Sequence, residues 1–566
     1  MSLAARPTSP PGKPATPGRH PGAMPLLAPW MCALLVFALP GRALAAEPEV
    51  LPRFPPLGPA EAPASFVVRP GFRVELAAAE PEVLDPVAFA FDERGRLYVV
   101  EMRDYSERRP ERLGRVRRLE DRDGDGRFES STVFLDGLPW PTAVACWDGG
   151  VFVGATPDIL FAKDVDDDGR ADVREIVFTG FAADYPPERL NVQAMLNSLQ
   201  WGPDARLHGA AEISGGRVQG VDSAFPRGWR AQGWAAAPPA PALDLRGRDF
   251  SFDPRTLGLR AEPGGGQHGM TFDDAGRKLV CSNSDHLQWI AFDPEPLAGV
   301  ASGTLPPARR SIAMDGPAAP VFRLSPDEPW LMLRTRWRVT GLSPGLIEGG
   351  GRASGYFTSA TGLTIYRGDA YGDAFTGDAF VADCGSNLIH RKKITARGAE
   401  LAGERPADEA GREFLASTDT WFRPVQFANG PDGCLWFADM YREVIEHPWS
   451  LPPGIKEQLD LNAGNDRGRL YRVVPEGVTP RRRVDLSGAD TAALAALLDH
   501  PNGWHRDTAA RLLHQRRDPA APGRVAAVAR SGTNPPGRLA ALVGPGRAAP
   551  TRPRASAAPS ACAASS

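Results

Sequence analysis

One short pattern returns six times between residues 88 and 437: an apolar strand, a turn rich in Asp, Gly or Pro, and a second apolar strand. Alternating apolar residues on both sides of such a turn are typical of a β-hairpin. The copies are Ala88–Val100, Thr142–Val153, Ser198–His208, Gly269–Val280, Thr376–Ala382 and Val425–Phe437. One hairpin cannot bury its apolar face, whereas a ring of sheets can. The repeat therefore predicts an all-β fold, a six-bladed β-propeller over residues 60–475, with one hairpin in each blade.

The composition agrees with a fold built from many turns. The 566-residue chain contains 60 Gly and 57 Pro, which favour turns over long helices. The copies are unevenly spaced, so long connections must decorate one face of the propeller, and residues 210–262 and 295–355 are the largest of them. The formal net charge of −3 provides no basic surface of the kind that binds nucleic acid.

After Val474 the apolar pattern changes from strand alternation to helical periodicity. Two such segments, Thr491–His500 and Asp507–His514, are separated by a turn. They predict a HEAT-like helical segment over residues 484–530, which either docks on the propeller or begins a longer array. Residues 531–566 have no aromatic, acidic or lysine residue, so they are predicted to be a disordered tail. A frameshifted end of a longer gene product is the alternative.

The N-terminal 46 residues have the layout of an export signal. The apolar run Trp30–Leu39 is followed by the small residues of Ala43–Ala45, which suit cleavage, and Met24 is an alternative start. The run is too short to span a bilayer, which leaves a short membrane anchor as the other interpretation. The sequence therefore predicts a periplasmic or secreted protein. It would meet a membrane only through this signal or by peripheral association.

Four cysteines lie within the predicted folded region: Cys146, Cys281, Cys384 and Cys434. None belongs to a CxxC pair, and the sequence contains no CxxCH motif for haem attachment. In an oxidising compartment the four could form two disulfides. The alternative is that they are buried thiols, which pack as small apolar residues.

Two acidic loops have the spacing of calcium ligands. In the segment Asp164–Glu175, carboxylates stand at positions 1, 3, 5, 9 and 12, and Gly169 stands where the backbone must turn sharply. Calcium takes about six to eight oxygen ligands, which this spacing gathers around one point. The predicted ligands are Asp164, Asp166, Asp168, Asp172 and Glu175 in this loop, and Asp121, Asp123 and Asp125 in the other.

The second loop departs from the full pattern, since Thr132 takes position 12, although Glu129 could supply a ligand from position 9. Neither loop has flanking amphipathic helices. Each is therefore predicted to join two propeller strands and to hold a calcium ion that stabilises the frame. A solvated acidic turn is the alternative.

Several segments of the chain are similar to motifs of a known protein family: Gly71–Leu76, the two acidic loops, Asn197–Asp204 and Asp439–Pro448. Together, over about residues 65–515, they resemble the PVC-type membrane-bound dehydrogenase domain family. The resemblance implies a six-bladed propeller related to the soluble quinoprotein glucose/sorbosone dehydrogenases, followed by HEAT repeats. It implies oxidation of a sugar or alcohol with pyrroloquinoline quinone and calcium. Because this chain has no haem motif, a separate cytochrome c would accept the electrons.

Two places depart from the quinoprotein pattern. Ala194 stands where that pattern has a general-base histidine, eight residues before Gly202. Gly265 and Gly266 stand where it has an Arg-Asn pair that contacts the quinone. These departures favour a second hypothesis, in which the propeller binds carbohydrate or a protein partner without catalysis.

Polar residues follow the strand ends of several blades, and equivalent strand ends converge on one mouth of a propeller. The predicted catalytic residues are His268, His286, Asp439 and Arg442, and the predicted cofactor-binding residues are Arg423, Asn387 and Asn197. Either histidine would act as the base, because imidazole titrates near neutral pH. Arg423 or Arg442 would hold an anionic cofactor. Structural hydrogen bonding is the alternative role for each residue.

Overall fold

The computed structural model describes residues 50–221, 241–293, 297, 306–479 and 484–543. Among these residues, 28 strands form six antiparallel sheets arranged as the six blades of a propeller, so the predicted fold class is confirmed. The predicted signal peptide lies outside the described residues. Within them, no helix is both long enough and apolar enough to cross a membrane.

The strands follow one another in chain order around the ring. The chain begins with β1 (Phe66–Val68) and β2 (Phe72–Ala78), which join blades 5 and 6. Blade 1 contains β3 (Pro86–Phe91), β4 (Leu97–Glu101), β5 (Gly114–Glu120) and β6 (Ser130–Leu138). Blade 2 contains β7 (Pro141–Trp147), β8 (Gly150–Ala155), β9 (Asp158–Lys163) and β10 (Val173–Phe181). Blade 3 begins with β11 (Asn197–Trp201) and β12 (Leu207–Ala210), and β13 (Gly216–Gly220) and β14 (Leu243–Asp244) then extend blade 2.

The second half of the chain completes the ring. Blade 3 ends with β15 (Asp249–Asp253) and β16 (Gly258–Glu262). Blade 4 contains β17 (Met270–Phe272), β18 (Lys278–Ser282), β19 (Asp285–Ile290) and β20 (Arg309–Ser311). Blade 5 contains β21 (Ala360–Ile365), β22 (Ala379–Asp383), β23 (Leu388–Arg397), β24 (Glu400–Glu404) and β25 (Leu415–Ser417). Blade 6 contains β26 (Pro424–Asn429), β27 (Leu435–Asp439) and β28 (Arg469–Pro475).

The ring closes by pairing the two ends of the propeller sequence. Strand β2 is the outer strand of blade 6 and pairs antiparallel with β28, with Phe72 opposite Pro475 and Val74 opposite Val473. The first strand of each blade contacts the first strand of the next, and β26 of blade 6 contacts β3 of blade 1. Because the ring is closed, each first strand has a neighbouring first strand on both sides around the axis.

Five of the six repeat copies are the first two strands of a blade, which confirms them as hairpins. The copy Thr376–Ala382 is not a hairpin, because it contains only one strand, β22, whose partner β21 ends at Ile365. A longer connection between these strands carries Tyr366 and Tyr371, whose rings stack at 4.2 Å in the core between blades 5 and 6. This packing replaces the tight turn that the other copies use.

Apolar side chains from the facing sides of neighbouring blades form the core. Between blades 2 and 3, Phe152 packs against Phe161 and Phe252 with ring centroids 5.0 and 5.1 Å apart. The four cysteines of the described region are free and buried, so the interpretation as packed thiols holds and the two disulfides do not form.

Six helices lie outside the blades in the described part of the chain. They are α1 (Pro329–Val339), α2 (Pro453–Lys456), α3 (Thr491–Leu497), α4 (Gly503–Arg516), α5 (Ala521–Ser531) and α6 (Pro535–Val543). Short 3-10 turns occur at Ala62–Ser65, Arg109–Glu111, Pro187–Arg189, Ala407–Glu409 and Pro448–Ser450.

Helices α3–α6 dock on the propeller, at the mouth where the first strands of the blades end. Asn502 donates to the carbonyl of Gly430 at 3.0 Å, in the first turn of blade 6. Arg511 pairs with Glu93 of the corresponding turn in blade 1 at 3.1 Å. Helices α3–α6 therefore cover this mouth of the propeller.

Helix α6 corrects part of the predicted disordered tail, which was expected to begin at residue 531. The carboxylate of Asp499 accepts from the backbone N–H groups of Thr533 at 2.7 Å and Asn534 at 2.9 Å, just before the helix starts. Ala541 is buried in the apolar cluster of the helical segment. Residues 544–566 lie outside the described residues.

Candidate functional site

A cavity of about 360 Å³ lies at the mouth where the first strands of the blades begin. All six blades contribute to its wall through Val87, Tyr105, Thr142, Asn197, His268, Thr361 and Gln426. Each of these side chains lies at or near the start of a first strand, except Tyr105, which follows the second strand of blade 1. Three of the predicted site residues, His268, Asn197 and Arg423, line this cavity.

The long connection between blades 4 and 5 forms a lid over this cavity. It contributes Glu328, Trp330 and Arg334, at the start and along the length of α1. Arg334 pairs with Glu446 and donates to the hydroxyl of Ser450 at 3.1 Å, so it ties the lid to the connection between β27 and β28. The sequence placed this connection on one face of the propeller. The sequence did not indicate that helix α1 would cover the cavity at the propeller axis.

His268 is the one predicted catalytic residue that lines the cavity among those described. It precedes β17 and has a left-handed backbone conformation, with φ of 49°. Burial lowers the pKa of its imidazole, and a contact with the backbone of Gln193 opposes that shift. The ring is therefore neutral at physiological pH and can accept or donate one hydrogen bond at each nitrogen.

Amide side chains connect blade 1, the segment before blade 3 and blade 4 along the wall. Gln193 donates to the hydroxyl of Tyr105 at 3.1 Å, and Gln267 donates to the carbonyl of Gln193 at 2.8 Å. Gln267 also accepts from the backbone N–H of Asn283 at 3.0 Å. These bonds fix the amides in place, which is how a binding wall keeps its geometry before a ligand arrives.

Some polar groups of the wall remain uncommitted. Within the described residues, no protein group hydrogen-bonds to the side-chain amides of Asn283 and Gln426 or to the hydroxyl of Ser359. Gln426 and Ser359 are half-buried and Asn283 is exposed. Together with His268, they place neutral donors and acceptors around the cavity from blades 4, 5 and 6.

The arginines of the cavity wall are all paired with carboxylates. The pairs are Arg334–Glu446, Arg338–Glu348 and Arg423–Glu328. Arg423, predicted to bind a cofactor, also donates to the carbonyls of Cys384 and Arg442, both at 3.0 Å. Pyrroloquinoline quinone carries three carboxylates, and burying them beside charges that already balance would be unfavourable. The described residues of the cavity therefore do not fit this cofactor.

The two departures from the quinoprotein pattern lie behind the wall. Ala194 is buried, and its carbonyl accepts from Ser214. The N–H of Gly265 donates to Asp249 at 2.8 Å, and a Cβ atom at Gly266 would lie 3.1 Å from Val280. Ala194, Gly265 and Gly266 themselves do not line the cavity.

Asn197 lines the cavity, whereas Asn387 does not. The side-chain amide of Asn197 donates to the carbonyl of Met195 at 2.9 Å, and its side-chain oxygen Oδ1 accepts from the hydroxyl of Ser198 at 2.8 Å. Asn387 is fully buried and donates to the carbonyls of Thr420 and Phe422, which holds the connection before blade 6. A structural role accounts for Asn387.

Asp439 and Arg442 are buried beneath the wall rather than in it. Asp439 accepts from the backbone N–H groups of Arg423 at 2.8 Å and Tyr441 at 3.0 Å, and burial raises its pKa to about 7. Arg442 forms a fully buried ion pair with Asp85. Arg442 therefore supports the closure between blades 6 and 1, whereas Asp439 holds the backbone at the two ends of the first hairpin of blade 6. The predicted catalytic roles of both residues have no geometric support.

His286 also lies away from the cavity, on β19 of blade 4. Its ring stacks on Phe357 at 4.4 Å, and its Nδ1 lies 2.9 Å from the carbonyl of Pro317. Burial, with His390 and Lys392 nearby, lowers its pKa to about 3. This histidine is a neutral core residue and is not placed to act as a base on a ligand.

The buried His286 is expected to make the protein acid-sensitive. The imidazole of His286 takes up a proton near pH 6.5 in the unfolded chain but only near pH 3 in the folded chain. The contribution of His286 to the free energy of unfolding is therefore full above pH 6.5 and is lost as pH falls toward 3. His286→Gln keeps a donor for Pro317 but does not titrate. Urea unfolding between pH 7 and 4 should therefore show a shallower loss of stability in this variant.

The control for the acid experiment is His208→Gln in blade 3, where the imidazole faces the carboxylate of Asp204 at 3.0 Å. It is not expected to reduce the acid sensitivity. Equal pH slopes for wild type and His286→Gln would contradict the assignment.

The acidic loops lie at the other mouth, on the side of the docked helices. As predicted, each connects two strands: β5 to β6 in blade 1, and β9 to β10 in blade 2. Side-chain oxygens of Asp164, Asp166 and Asp172 lie within 4.8 Å of one another. Asp121, Asp123 and Glu129 form an equivalent group in the other loop. The two sites share one local geometry.

The remaining predicted ligands do not join these groups. Asp168 accepts from the N–H of Arg170 and Asp125 from that of Arg127, both at 2.7 Å, so each turns toward its own backbone. Glu175 belongs to β10, opposite Phe161, and the strand carries it away from the loop. Glu129, which the spacing predicted only as an additional ligand, belongs to the group with Asp121 and Asp123.

Sequence reasoning missed several residues of the cavity. Gln426 is the third residue of β26, and Gln193 and Gln267 precede first strands, as His268 does. Their positions at strand starts could have identified them, but an amide carries no motif of its own. The lid residues Trp330 and Arg334 had no signal, because their part of the sequence lacks the repeat.

Comparisons with known proteins give one family and a set of similar folds. A family model described as "Domain of unknown function (DUF7133)" matches residues 58–477. No curated protein matches the chain. A luciferin-regenerating enzyme is similar at 13% identity and a TM-score of 0.38, covering 73% of this chain and 99% of that one.

Two sugar dehydrogenases are also among the similar solved structures. The pyranose dehydrogenase PQQ domain from Coprinopsis cinerea is 14% identical, with a TM-score of 0.38, and covers 75% of this chain and 98% of its own. The soluble aldose sugar dehydrogenase from Escherichia coli, in its apo form, is 12% identical, with a TM-score of 0.33, and covers 72% of this chain and 100% of its own.

Proposed function

This chain belongs to the DUF7133 family, and we propose that it is a propeller that binds a neutral sugar or sugar alcohol in the cavity under its lid. The supporting observation is the set of uncommitted neutral groups on Ser359, Asn283 and Gln426 around a space of about 360 Å³. Small-molecule sites occupy about 300–1,000 Å³ and combine an apolar wall with a few oriented polar groups. Hydroxyl groups match such a wall because they both donate and accept.

The apolar part of the wall suits the carbon skeleton of a sugar. Met102, Val192 and Leu331 line the cavity beside Tyr105 and Trp330. Sugar rings expose C–H groups that pack against such surfaces, while their hydroxyl groups reach the amides. The balanced charges of the wall disfavour a ligand with net charge.

The dehydrogenase hypothesis has one observation in its favour, namely that His268 lies in the cavity wall as a neutral imidazole. A neutral imidazole is the form that accepts a proton from a hydroxyl group. The paired arginines weigh against the quinone that this hypothesis requires. Binding of the sugar without oxidation is therefore the function that the geometry supports best.

The acidic loops and the leader complete the proposal. Each loop holds one calcium ion, with Asp121 and Asp164 as the first ligands of the two sites, and the ions stabilise the frame. The leader of residues 1–46 directs the protein to the periplasm or the medium, where calcium and free sugars are both accessible.

Isothermal titration of the purified protein with glucose, galactose, mannose and sorbitol, with calcium present, tests the sugar proposal. At least one of these probes should bind one-to-one. Gln426→Leu should weaken that binding about fivefold, because a neutral hydrogen bond contributes about 0.5–1.5 kcal/mol. The matched control is Gln219→Leu, on the exposed side of β13, which should leave the binding unchanged.

The same experiment separates the two hypotheses. Pyrroloquinoline quinone is titrated with calcium, and no saturable binding is expected. One-to-one binding of the quinone that Gln426→Leu weakens would overturn the charge argument and favour the dehydrogenase. Absence of binding by every sugar probe to the folded protein would contradict the sugar proposal.

A further inference from the structure

A second concave surface, the arginine groove, lies between blades 1 and 2, with a volume of about 490 Å³. Arg109 and Arg112 reach it from the connection between β4 and β5, and Arg174 reaches it from β10. Its apolar floor includes Leu138, Pro157 and Ile176. The groove lies on the same face as the cavity, since the connection after a second strand returns to the mouth where first strands begin.

The three guanidinium groups are held in place by backbone carbonyls. Arg112 donates to Gly137 at 2.9 Å and Arg174 donates to Asp136 at 3.0 Å, so two arginines use consecutive carbonyls. Arg109 donates to the carbonyl of Thr156 at 2.8 Å and lies 5.7 Å from the ring centroid of Trp140. Because a guanidinium has five N–H donors, each side chain keeps most of its donors for another molecule.

The positive charge of this groove is not compensated. Among the described residues, no carboxylate lies within 4.0 Å of these three guanidinium groups. The groove contains one acid, Asp158, which accepts from the hydroxyl of Thr179 at 2.6 Å. Three arginines against one carboxylate leave an excess of positive charge over an apolar floor.

Burial raises the pKa of Asp158, and Arg109 and Arg112 both oppose that shift, which places their charges near the same carboxylate. In addition, the Nε atom of Arg109 is buried without a hydrogen-bond partner. A cluster of fixed guanidinium groups with unused donors is the arrangement that recognises planar or tetrahedral oxyanions.

We propose that the arginine groove binds an oxyanion: the sulfate, phosphate or carboxylate group of an acidic ligand. Arg112 and Arg174 hold its oxygens through charge-assisted hydrogen bonds, and Arg109 supplies charge from the inner wall. The groove acts independently of the sugar cavity, since the two share no lining residue.

Isothermal titration with sodium sulfate, sodium phosphate and glucuronate at low ionic strength tests this proposal. Wild type should bind at least one probe, more weakly as salt rises. The variant Arg112→Gln with Arg174→Gln should lose about tenfold or more in affinity, because two charge-assisted bonds are removed. Both arginines are exposed, so the substitutions spare the core. Arg260→Gln, an exposed arginine of blade 3, is the matched control.

Each outcome decides the proposal. Binding that falls in the double variant and persists in Arg260→Gln and in Gln426→Leu supports the groove as a separate site. Preference for glucuronate identifies a sugar acid as the source of the oxyanion, and preference for sulfate or phosphate identifies a free or esterified inorganic anion. No binding of any probe by wild type, or equal binding by wild type and the double variant, overturns it.

Discussion

Replacing Arg442 by methionine is expected to lower the free energy of unfolding by about 3–5 kcal/mol. Arg442 and Asp85 are both 0% exposed, with Nε of the arginine 2.8 Å from Oδ1 of the aspartate. A further guanidinium nitrogen donates to the second carboxylate oxygen, and another to the carbonyl of Leu461 at 3.1 Å. Methionine fills much of the same space but leaves Asp85 as a buried carboxylate with no cation, which is the costly state.

The ion pair joins the two ends of the ring. Asp85 precedes β3 of blade 1, Arg442 follows β27 of blade 6, and the N–H of Asp85 also donates to the carbonyl of Arg467 at 2.6 Å. Loss of the Arg442–Asp85 pair should therefore weaken the ring closure to which the pairing of β2 with β28 also contributes. Affinity for a ligand in the cavity should change little in the folded variant, because Arg442 does not line it.

The pH dependence of the Arg442 variant has a definite sign. In the wild type, burial raises the pKa of Asp85 to about 6 even beside Arg442, so the carboxylate is charged at pH 8. Without the arginine its pKa rises further, and the folded state holds a proton that the unfolded state releases near pH 3.9. The stability deficit against wild type should therefore be smaller at pH 5 than at pH 8.

Urea unfolding at pH 5 and pH 8 measures both effects for Arg442→Met. Adding Asp85→Asn to it should recover part of the lost stability at pH 8, because the unpaired charge disappears. Arg260→Met, an exposed arginine, is the control and should change the stability by about 0.5 kcal/mol or less. A loss below about 1 kcal/mol in Arg442→Met would show that the pair contributes no more than a surface pair.

The hairpins could be predicted because their information is local. In a copy such as Ala88–Val100, the alternation of apolar residues and the turn that contains Asp92 and Gly95 both lie within about a dozen residues. Blade 5 escaped this reasoning because its first two strands are joined by a longer connection, and the apparent copy Thr376–Ala382 contains only one strand, β22. Helix α6 escaped it because its capping carboxylate, Asp499, lies more than thirty residues away in sequence.

The candidate site was predictable only in its position. Polar residues beside the strand ends of several blades indicated one mouth, and His268, Asn197 and Arg423 line the cavity. Nothing in the sequence distinguishes a strand-end residue that faces the axis from one that pairs beneath it. The partner of Arg442 lies 357 residues away, and the partner of Arg423 is Glu328 of the lid. Such pairs form only when the ring closes, and a single sequence does not show which distant residues then come into contact.

Removing calcium is expected to lower the melting temperature by several degrees, because the acidic loops connect neighbouring blades. In the loop that begins at Asp164, Arg118 of blade 1 pairs with Asp164 of blade 2 at 2.6 Å, and Arg96 pairs with Asp167 at 3.1 Å. In the loop that begins at Asp121, Arg472 of blade 6 donates to the carbonyl of Asp125 at 3.0 Å. The two loops therefore link blades 6, 1 and 2 across the region where the ring closes.

The size of the calcium effect follows from linkage. A ligand that binds only the folded state stabilises it by about 2.7 kcal/mol at a hundredfold excess over its Kd, so two filled sites contribute about twice that amount. Differential scanning calorimetry with calcium and with excess EGTA measures the loss. Calcium titration should give two sites in wild type and one in Asp166→Asn or Asp123→Asn, each of which replaces one carboxylate of a clustered group.

Asp136→Asn is the matched control, since this exposed aspartate lies on β6 outside both loops. It should keep two sites and the full response to EGTA. Each loop variant should lose about half of that response, whereas the variant at both loops should be insensitive to EGTA and melt near the chelated wild type. A melting temperature of wild type that EGTA does not change would mean that the loops are solvated acidic turns. The links of Arg118 and Arg472 would then hold the three blades together without an ion, because neither contact requires one.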